Sequence, residues 1–270
     1  MNGTKSSQVK ESLSKPDIHK KWINIYRSSK NNEYFELVFD YITNFLKAPK
    51  NSIFLDAGCG TCVDSIRLAK RGFLVKAVDF SESVLKIAEA SVKYEGLEDK
   101  IKIQREDILS LSFEDKTFDY VLCWGVLMHI PDIEKAVSEF IRVLKPGGTI
   151  IIGENNMYAL QLIISRNMKW LLRKEKVISK ETPSGIEYWW NDPEGTVMTR
   201  EANIQWLIKK FKSNRFVVKK HIAGQFTEAY VRDFPELLKS LIHSFNNFWF
   251  KYVKIPYFAV GNILILNKER

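Results

Sequence analysis

The sequence predicts an α/β domain: a doubly wound, mostly parallel seven-stranded sheet with helices on both faces. Three observations predict it. Apolar runs alternate with helix-like segments of about 10–15 residues through residues 53–153, and the alternation resumes after residue 198. The first run ends in a glycine turn, Ile53-Phe54-Leu55-Asp56-Ala57-Gly58-Cys59-Gly60-Thr61-Cys62, that opens directly into a helical segment. The composition, 45% hydrophobic and 27% charged over 270 residues, supplies material for one elaborated core.

Taken in order, residues 1–17 read as a disordered or loosely docked tail. Helical patterns run from Ile18 to Leu46, with Trp22, Ile25, Tyr26, Phe35, Val38, Phe39 and Ile42 on apolar positions, and Ala48-Pro49-Lys50-Asn51 breaks them. Then follow strand 53–56, helix 62–71, strand 73–78, helix 82–95, strand 101–105, strand 118–123, helix 132–144, the turn Lys145-Pro146-Gly147-Gly148 and strand 149–153. Residues 155–176 have a basic helical pattern, and 177–198 read as irregular, with turns at Pro183-Ser184-Gly185 and Asn191-Asp192-Pro193-Glu194-Gly195. Thr199 is the expected cap of a helix reaching about Phe211, with strand Arg215–Ile222, an aromatic-rich helix 233–251 and strand Tyr257–Leu266 after it. This gives residues 1–50 as tail and lid helices, 51–153 as a ligand-binding core, 154–198 as an inserted helical cap, and 199–270 as the rest of the sheet with a helical excursion, all in one structural domain.

No apolar run reaches the ~18 residues needed to span a bilayer, and Met1 to Lys20 carry no signal-peptide core. Three cysteines make no disulfide framework, so a reducing cytoplasm is the expected setting. The charge is uneven. Residues 1–153 carry 22 Lys/Arg against 21 Asp/Glu, whereas residues 154–270 carry 19 against 11 and five of the seven tryptophans. The second part is the expected contact surface, although a diffuse positive charge is also an ordinary solvated face.

The glycine turn narrows the ligand. A dinucleotide site of the G-x-G-x-x-G type needs a third glycine where Val63 stands, and a phosphate cradle needs a basic residue, which 56–66 lack. Asp56 and Asp64 make this an acidic turn, suited to a cationic nucleotide; S-adenosylmethionine, with its sulfonium and ammonium, is such a ligand.

The sequence resembles the class I S-adenosylmethionine-dependent methyltransferases, stand-alone small-molecule type. Leu55-Asp56-Ala57-Gly58-Cys59-Gly60-Thr61 matches their first motif, and Asp79, ending Val75-Lys76-Ala77-Val78-Asp79-Phe80-Ser81, takes the place of the ribose-binding carboxylate. Phe80 resembles the apolar neighbour that packs on adenine, and Asp107-Ile108 follow the third strand where the family presents an acid to the adenine amino group. Phe118-Asp119-Tyr120-Val121-Leu122-Cys123 with Trp124, and Arg142-Val143-Leu144-Lys145-Pro146-Gly147-Gly148, resemble the later motifs. The resemblance implies a Rossmann-like methyltransferase fold, S-adenosylmethionine as cofactor, and Asp56, Ala57, Gly58, Cys59, Gly60, Asp79, Phe80, Asp107, Ile108, Cys123 and Trp124 around it. Cys62 replaces the family's usual last glycine; it is small enough at a helix start for binding to be retained. Cys59 and Cys62 also have metal spacing, but only Cys123 remains as a third thiol and no histidine is near in sequence, so no metal is expected.

Methyl transfer from a sulfonium asks the protein mainly to position donor and acceptor, and asks for a base when a hydroxyl must lose its proton. His129 is the one histidine expected at the C-terminal mouth of the strands, as a base or as a residue that merely orders its turn. Tyr26 and Arg27 resemble a lid over the methionine carboxylate, with an amphipathic packing helix as the alternative. Glu154 and Asn155, ending strand five, are placed for an acceptor, although Asn155 also suits a helix cap.

For the acceptor, the sequence after strand four, Cys123-Trp124-Gly125-Val126, lacks the Asn/Asp-Pro-Pro-aromatic motif of nucleobase methylation, which argues against nucleic acid. A small molecule is expected, with O-methylation of a sugar, glycan or lipid-carried hydroxyl favoured by the resemblance. A cofactor-binding regulatory module, or a methyltransferase for RNA or protein, is the alternative. The basic helix 157–176 and Phe245–Tyr252 suit an anionic membrane surface or, equally, a solvated cap.

Overall fold

The computed structural model describes residues 5–15, 29–171, 178–192, 195–228 and 234–270. Five parallel strands follow the sequence reading closely: β1 (Ile53–Ala57), β2 (Leu74–Asp79), β3 (Ile101–Arg105), β4 (Phe118–Trp124) and β5 (Leu144–Asn155). Each has apolar residues on both faces, as strands buried between two helical layers must. Two further strands, β9 (Phe216–Ala223) and β10 (Gly261–Lys268), complete one sheet in the order β3-β2-β1-β4-β5-β10-β9. Only β10 runs antiparallel, to both of its neighbours. The order reverses between β1 and β4, so the loops leaving their C-terminal ends diverge and open a crevice, where ligands of open α/β sheets bind.

The helices pack by their apolar stripes. Between β4 and β5, α5 (Ile133–Val143) buries Ile133, Ala136, Val137, Phe140 and Val143 at i, i+3, i+4 spacing, and Asp132 caps it by accepting the Lys135 N–H at 3.1 Å. With α7 (Ile204–Lys212) it covers the face carrying Leu55, Val121, Ile150 and Leu264. On the opposite face α2 (Ser29–Leu46), α3 (Val63–Lys70) and α4 (Glu82–Tyr94) cover Phe54, Val75, Leu122 and Ile263. Each such side chain contributes about 1.5–3 kcal/mol on full burial. Arg67 of α3 locks α2 in place, its guanidinium bonded to Glu36, Asn32 and Asp64 at 3.0, 3.0 and 2.6 Å.

Three expectations are corrected. Part of the 1–17 tail is a helix, α1 (Lys5–Leu13), which buries Val9 and Leu13 against Val197 and Met198. The inserted cap is half helix and half sheet: after α6 (Leu160–Leu171) comes an antiparallel meander of β6 (Ile178–Thr182), β7 (Gly185–Asp192) and β8 (Gly195–Ala202). The Pro183-Ser184 turn does break the chain, but between paired strands, with Thr182 opposite Gly185. Thr199 lies inside β8; the cap of α7 is Asn203, which accepts the Trp206 N–H at 3.1 Å. The aromatic excursion forms α8 (Glu236–Phe248) and a π-helical turn, Trp249–Val253.

Candidate active site

The crevice at the β1/β4 reversal is walled by the glycine turn on one side and residues 125–131 on the other. The turn is built on its backbone: the N–H groups of Gly58 and Cys59 both donate to the Val78 carbonyl at 2.8 Å. Gly58 has φ +83°, and a Cβ there would meet the Val126 methyls at 2.6 and 2.7 Å, so glycine lets the two walls touch. Gly60 has φ +52°, and a Cβ there would meet nothing within 4 Å. This is open space in the middle of the expected cradle.

Asp79 ends β2 beside that space. Its two oxygens accept the N–H groups of Gly60 at 3.1 Å and Ser81 at 3.0 Å, which holds the carboxylate in one orientation. The residues therefore fit a nucleoside: a positioned carboxylate for a diol next to a gap that only glycine leaves. Asp56 is buried at the end of β1 and accepts from Ser65 Oγ at 2.5 Å. Burial, with the charge of Asp64 second, pushes its carboxyl up to about 7. A cation arriving at this turn would find a group ready to ionise.

Cys62 begins α3 in the left-handed region, φ 61° and ψ 23°, with its side chain fully buried. The position therefore has a glycine's backbone conformation while carrying a Cβ, a strain of roughly 1–2 kcal/mol. Cys59 is buried beside it, and burial, with the Cys62 thiol as neighbour, raises the Cys59 thiol well above its ordinary value. Cys59 and Ala57 thus offer main chain rather than reactive side chains. Among the described residues no group of three or more metal-type ligands gathers here.

Where adenine is expected there is a cleft of about 520 Å³ lined by Lys10, Glu11, Ser14, Phe80, Arg105 and Asp107. Phe80 packs against the small core of Val9, Leu13, Val197 and Met198. Asp107 accepts from the Leu109 N–H at 3.0 Å and is ion-paired with Lys10 of α1. Ile108 is buried behind it, and Ser83 Oγ donates to the Ser14 carbonyl at 2.7 Å. Helix α1 therefore covers this edge, a contact the sequence reading missed because α1 shows only Val9 and Leu13 as an apolar signal.

Of the residues near β4, Cys123 is fully buried, and burial followed by the charge of Glu154 raises its thiol well above the ordinary value. Trp124 is half-buried and lies on Gly153, where a Cβ would come within 2.4 Å of its ring; it also packs edge-on to Phe35. Phe35 belongs to the packed α2, whereas Trp22, Tyr26 and Arg27 lie outside the described residues.

His129 sits in a 3-10 turn, Leu127–His129, as a half-buried side chain. Its Nδ1 is 3.0 Å from the Met198 carbonyl of β8; a carbonyl only accepts, so the proton is on Nδ1 and Nε2 is the basic nitrogen. Burial lowers its basicity, against the pull of that hydrogen bond. Glu154 and Asn155 each bond to the protein's own backbone through one oxygen. Glu154 is buried at 4% exposure and accepts the Leu127 N–H at 2.8 Å, and burial pushes its carboxyl up to about 8. Asn155 accepts the Ala202 N–H at 3.0 Å and so ties β5 to the end of β8, rather than capping a helix. Strand polarity cannot reveal this, because polar residues at a sheet's ligand edge serve loops and ligands alike.

The largest surprise is Arg200, at 1% exposure the bulkiest fully buried side chain among the described residues. It donates to the carbonyls of Leu127 at 3.0 Å, Ile130 at 2.8 Å and Pro131 at 3.3 Å, and pairs with Glu187 at 2.8 Å. Removing one partner from such a buried set costs about 3–5 kcal/mol. The sequence signal was the pair of charges Glu187 and Arg200 at inward positions of paired strands, Glu187 opposite Arg200 in the register.

Comparison with known proteins agrees with this geometry. Residues 55–152 match the family model described as a methyltransferase domain. The chain is 39% identical over 107 residues to norajmaline N-methyltransferase of Rauvolfia serpentina, covering 39% of this chain and 36% of that protein. It is 34% identical over 107 residues to a ubiquinone biosynthesis O-methyltransferase of Coxiella burnetii, covering 40% and 45%. Both relatives are thus matched over less than half of their own length. The fold is shared with magnesium protoporphyrin IX methyltransferase of Synechocystis, solved with bound SAH, at TM-score 0.64 and 15% identity over 97% of this chain and 100% of that one.

Proposed function

We propose that the protein is a class I S-adenosylmethionine-dependent methyltransferase, which transfers a methyl group from S-adenosylmethionine to a small-molecule acceptor; the match of residues 55–152 to a methyltransferase domain supports this. The observation that carries this reading is the open space at Gly60 beside the fixed Asp79 carboxylate. Asp79 would hold the ribose, Phe80, Asp107 and Ile108 the adenine, and Asp56 with the 58–60 main chain the amino-acid end. S-adenosylmethionine supplies, when bound, an electrophilic methyl with a good leaving group. The chain's own part is to orient the acceptor, exclude water, and take a proton at His129 Nε2 when the acceptor is a hydroxyl. The lowered basicity of His129 keeps it neutral, and so able to accept, at pH 7.

A hydroxyl on a sugar, glycan or lipid-carried precursor is the acceptor we favour, in a cytoplasmic enzyme. One observation supports a lipid-borne acceptor. Leu237, Leu241, Phe245, Phe248 and Tyr252 recur every three or four residues along α8 and its π turn, all at 40% exposure or more, while His243, Asn246 and Phe250 face inward. Such an apolar stripe on the more basic part of the chain suits a peripheral anionic lipid surface. Of the basic residues in 157–176, Arg166 turns to Glu201 and the Met157 carbonyl. No helix among the described residues is long and apolar enough to cross a membrane. Incubation with methyl-labelled S-adenosylmethionine and a panel of hydroxylated glycans and polyprenyl-linked sugars tests the reading. Label transfer that His129→Gln reduces about 100-fold or more is expected for general-base work; label transferred only to amines would contradict O-methylation.

A further inference from the structure

Residues 125–131 form one wall of the crevice, yet almost nothing in their own sequence holds them. The 3-10 turn is three residues long and closes on two internal bonds, His129 N–H to the Val126 carbonyl at 2.9 Å and Ile130 N–H to the Leu127 carbonyl at 3.2 Å. Runs this short are poorly self-stabilising. What fixes the turn comes from either side. Glu154 of β5 takes the Leu127 N–H, and Arg200 of β8 takes the Leu127, Ile130 and Pro131 carbonyls. Two residues before Arg200 on the same strand, the Met198 carbonyl receives His129 Nδ1–H. One strand of the inserted meander thus holds both the backbone of the turn and the ring it carries.

We propose that Arg200, oriented by Glu187, is the positioning residue of the acceptor wall: it fixes the 127–131 turn against β8 and so sets the tautomer and direction of the His129 imidazole. The inserted meander is then part of the chemical apparatus and not only a roof over it. The proposal rests on reading His129 as the acceptor-side base. Arginine suits the task because its planar fork reaches several carbonyls and one carboxylate at fixed angles, which a point ammonium cannot do. The charged and titratable groups that bond to the turn carrying His129 are Arg200, itself paired with Glu187, from the meander and Glu154 from β5; Asp132 follows the turn as the cap of α5.

The test uses the full-length protein with ¹⁵N-labelled histidine, observed by NMR through a pH titration. There are four histidines, and His129→Gln assigns the relevant signal. In the wild type His129 is expected as the Nδ1–H tautomer, with a midpoint below the ordinary value of about 6.5. In Arg200→Met the tautomers become mixed, while S-adenosylhomocysteine affinity by calorimetry stays within about threefold. A loss of stability alone would follow from any structural role; the tautomer change would not. Should Arg200→Met not fold, Arg200→Lys is read in the same way, with a mixed tautomer expected. An unchanged His129 signature in a folded Arg200 variant overturns the proposal. Failure of the wild type to bind S-adenosylhomocysteine would instead strike the methyltransferase reading, so the two failures are distinguishable.

Discussion

Alanine at Gly60 and alanine at Gly58 should damage the protein in different ways. Both glycines have positive φ, +52° and +83°, so either substitution costs roughly 1–2 kcal/mol of backbone strain. At Gly58 the new Cβ would also press on the Val126 methyls at 2.6 and 2.7 Å, and overpacking of that kind adds about 1–3 kcal/mol. Val126 is β-branched and cannot rotate away freely. At Gly60 nothing lies within 4 Å, so the loss of stability stops at the backbone term. Cys62, a non-glycine residue at φ 61° two positions on, shows that the turn tolerates one such strain. The methyl group at Gly60 instead stands in the space assigned to the cofactor, and a tenfold or greater loss of affinity, about 1.4 kcal/mol, is expected there. Urea midpoints at constant slope measure the first effect, and calorimetry with S-adenosylhomocysteine the second. If Gly60→Ala bound the ligand within threefold of wild type, the open space would not be the cofactor's.

Two further outcomes follow from the same structure. Burial raises Asp56 to about 7 and Glu154 to about 8, so the native state holds protons that the unfolded chain releases from about pH 4 upward, and both groups lower stability as pH rises toward 8. The lowered imidazoles of His129 and His221 act the other way, so the difference between Asp56→Asn and wild type is the clean measure. That difference should favour the variant by more at pH 8 than at pH 5, on the order of 1 kcal/mol per pH unit; a flat difference in urea midpoints would contradict it. On the surface, Leu241→Glu with Phe248→Glu should abolish co-sedimentation with phosphatidylglycerol vesicles at low salt while leaving S-adenosylhomocysteine binding intact. Equal binding to neutral phosphatidylcholine vesicles, or none to either, would remove the anionic lipid surface.

Local signals made the core legible. The run Ile53–Cys62, Asp79 at the end of β2 and the apolar stripe of α5 each declare themselves within a dozen residues. What escaped was settled by distant partners. The inward positions of β8 are Met198, Arg200 and Ala202, and a charged residue in the middle of that series hides the two-residue apolar alternation. Arg200 is buried only because Glu187 and three carbonyls from residues 127–131 surround it. Thr199 and Asn203 are both good caps by type, and strand pairing across β7 decides between them. Glu154 accepts the Leu127 N–H, a partner far along the chain that the residues beside it do not announce. In the glycine turn, Cys62 announces a missing glycine, but only the backbone angle shows that the glycine-like conformation has been kept.

The central claim is that the turn after β1, with Asp79, holds S-adenosylmethionine. Calorimetric titration of S-adenosylhomocysteine into the wild type and Asp79→Asn tests it most directly. One site per chain is expected, its affinity weakened about tenfold or more in Asp79→Asn because a charge-assisted bond is worth about 1.5–3 kcal/mol. No binding to the wild type, or equal affinity in the two proteins, would contradict the account.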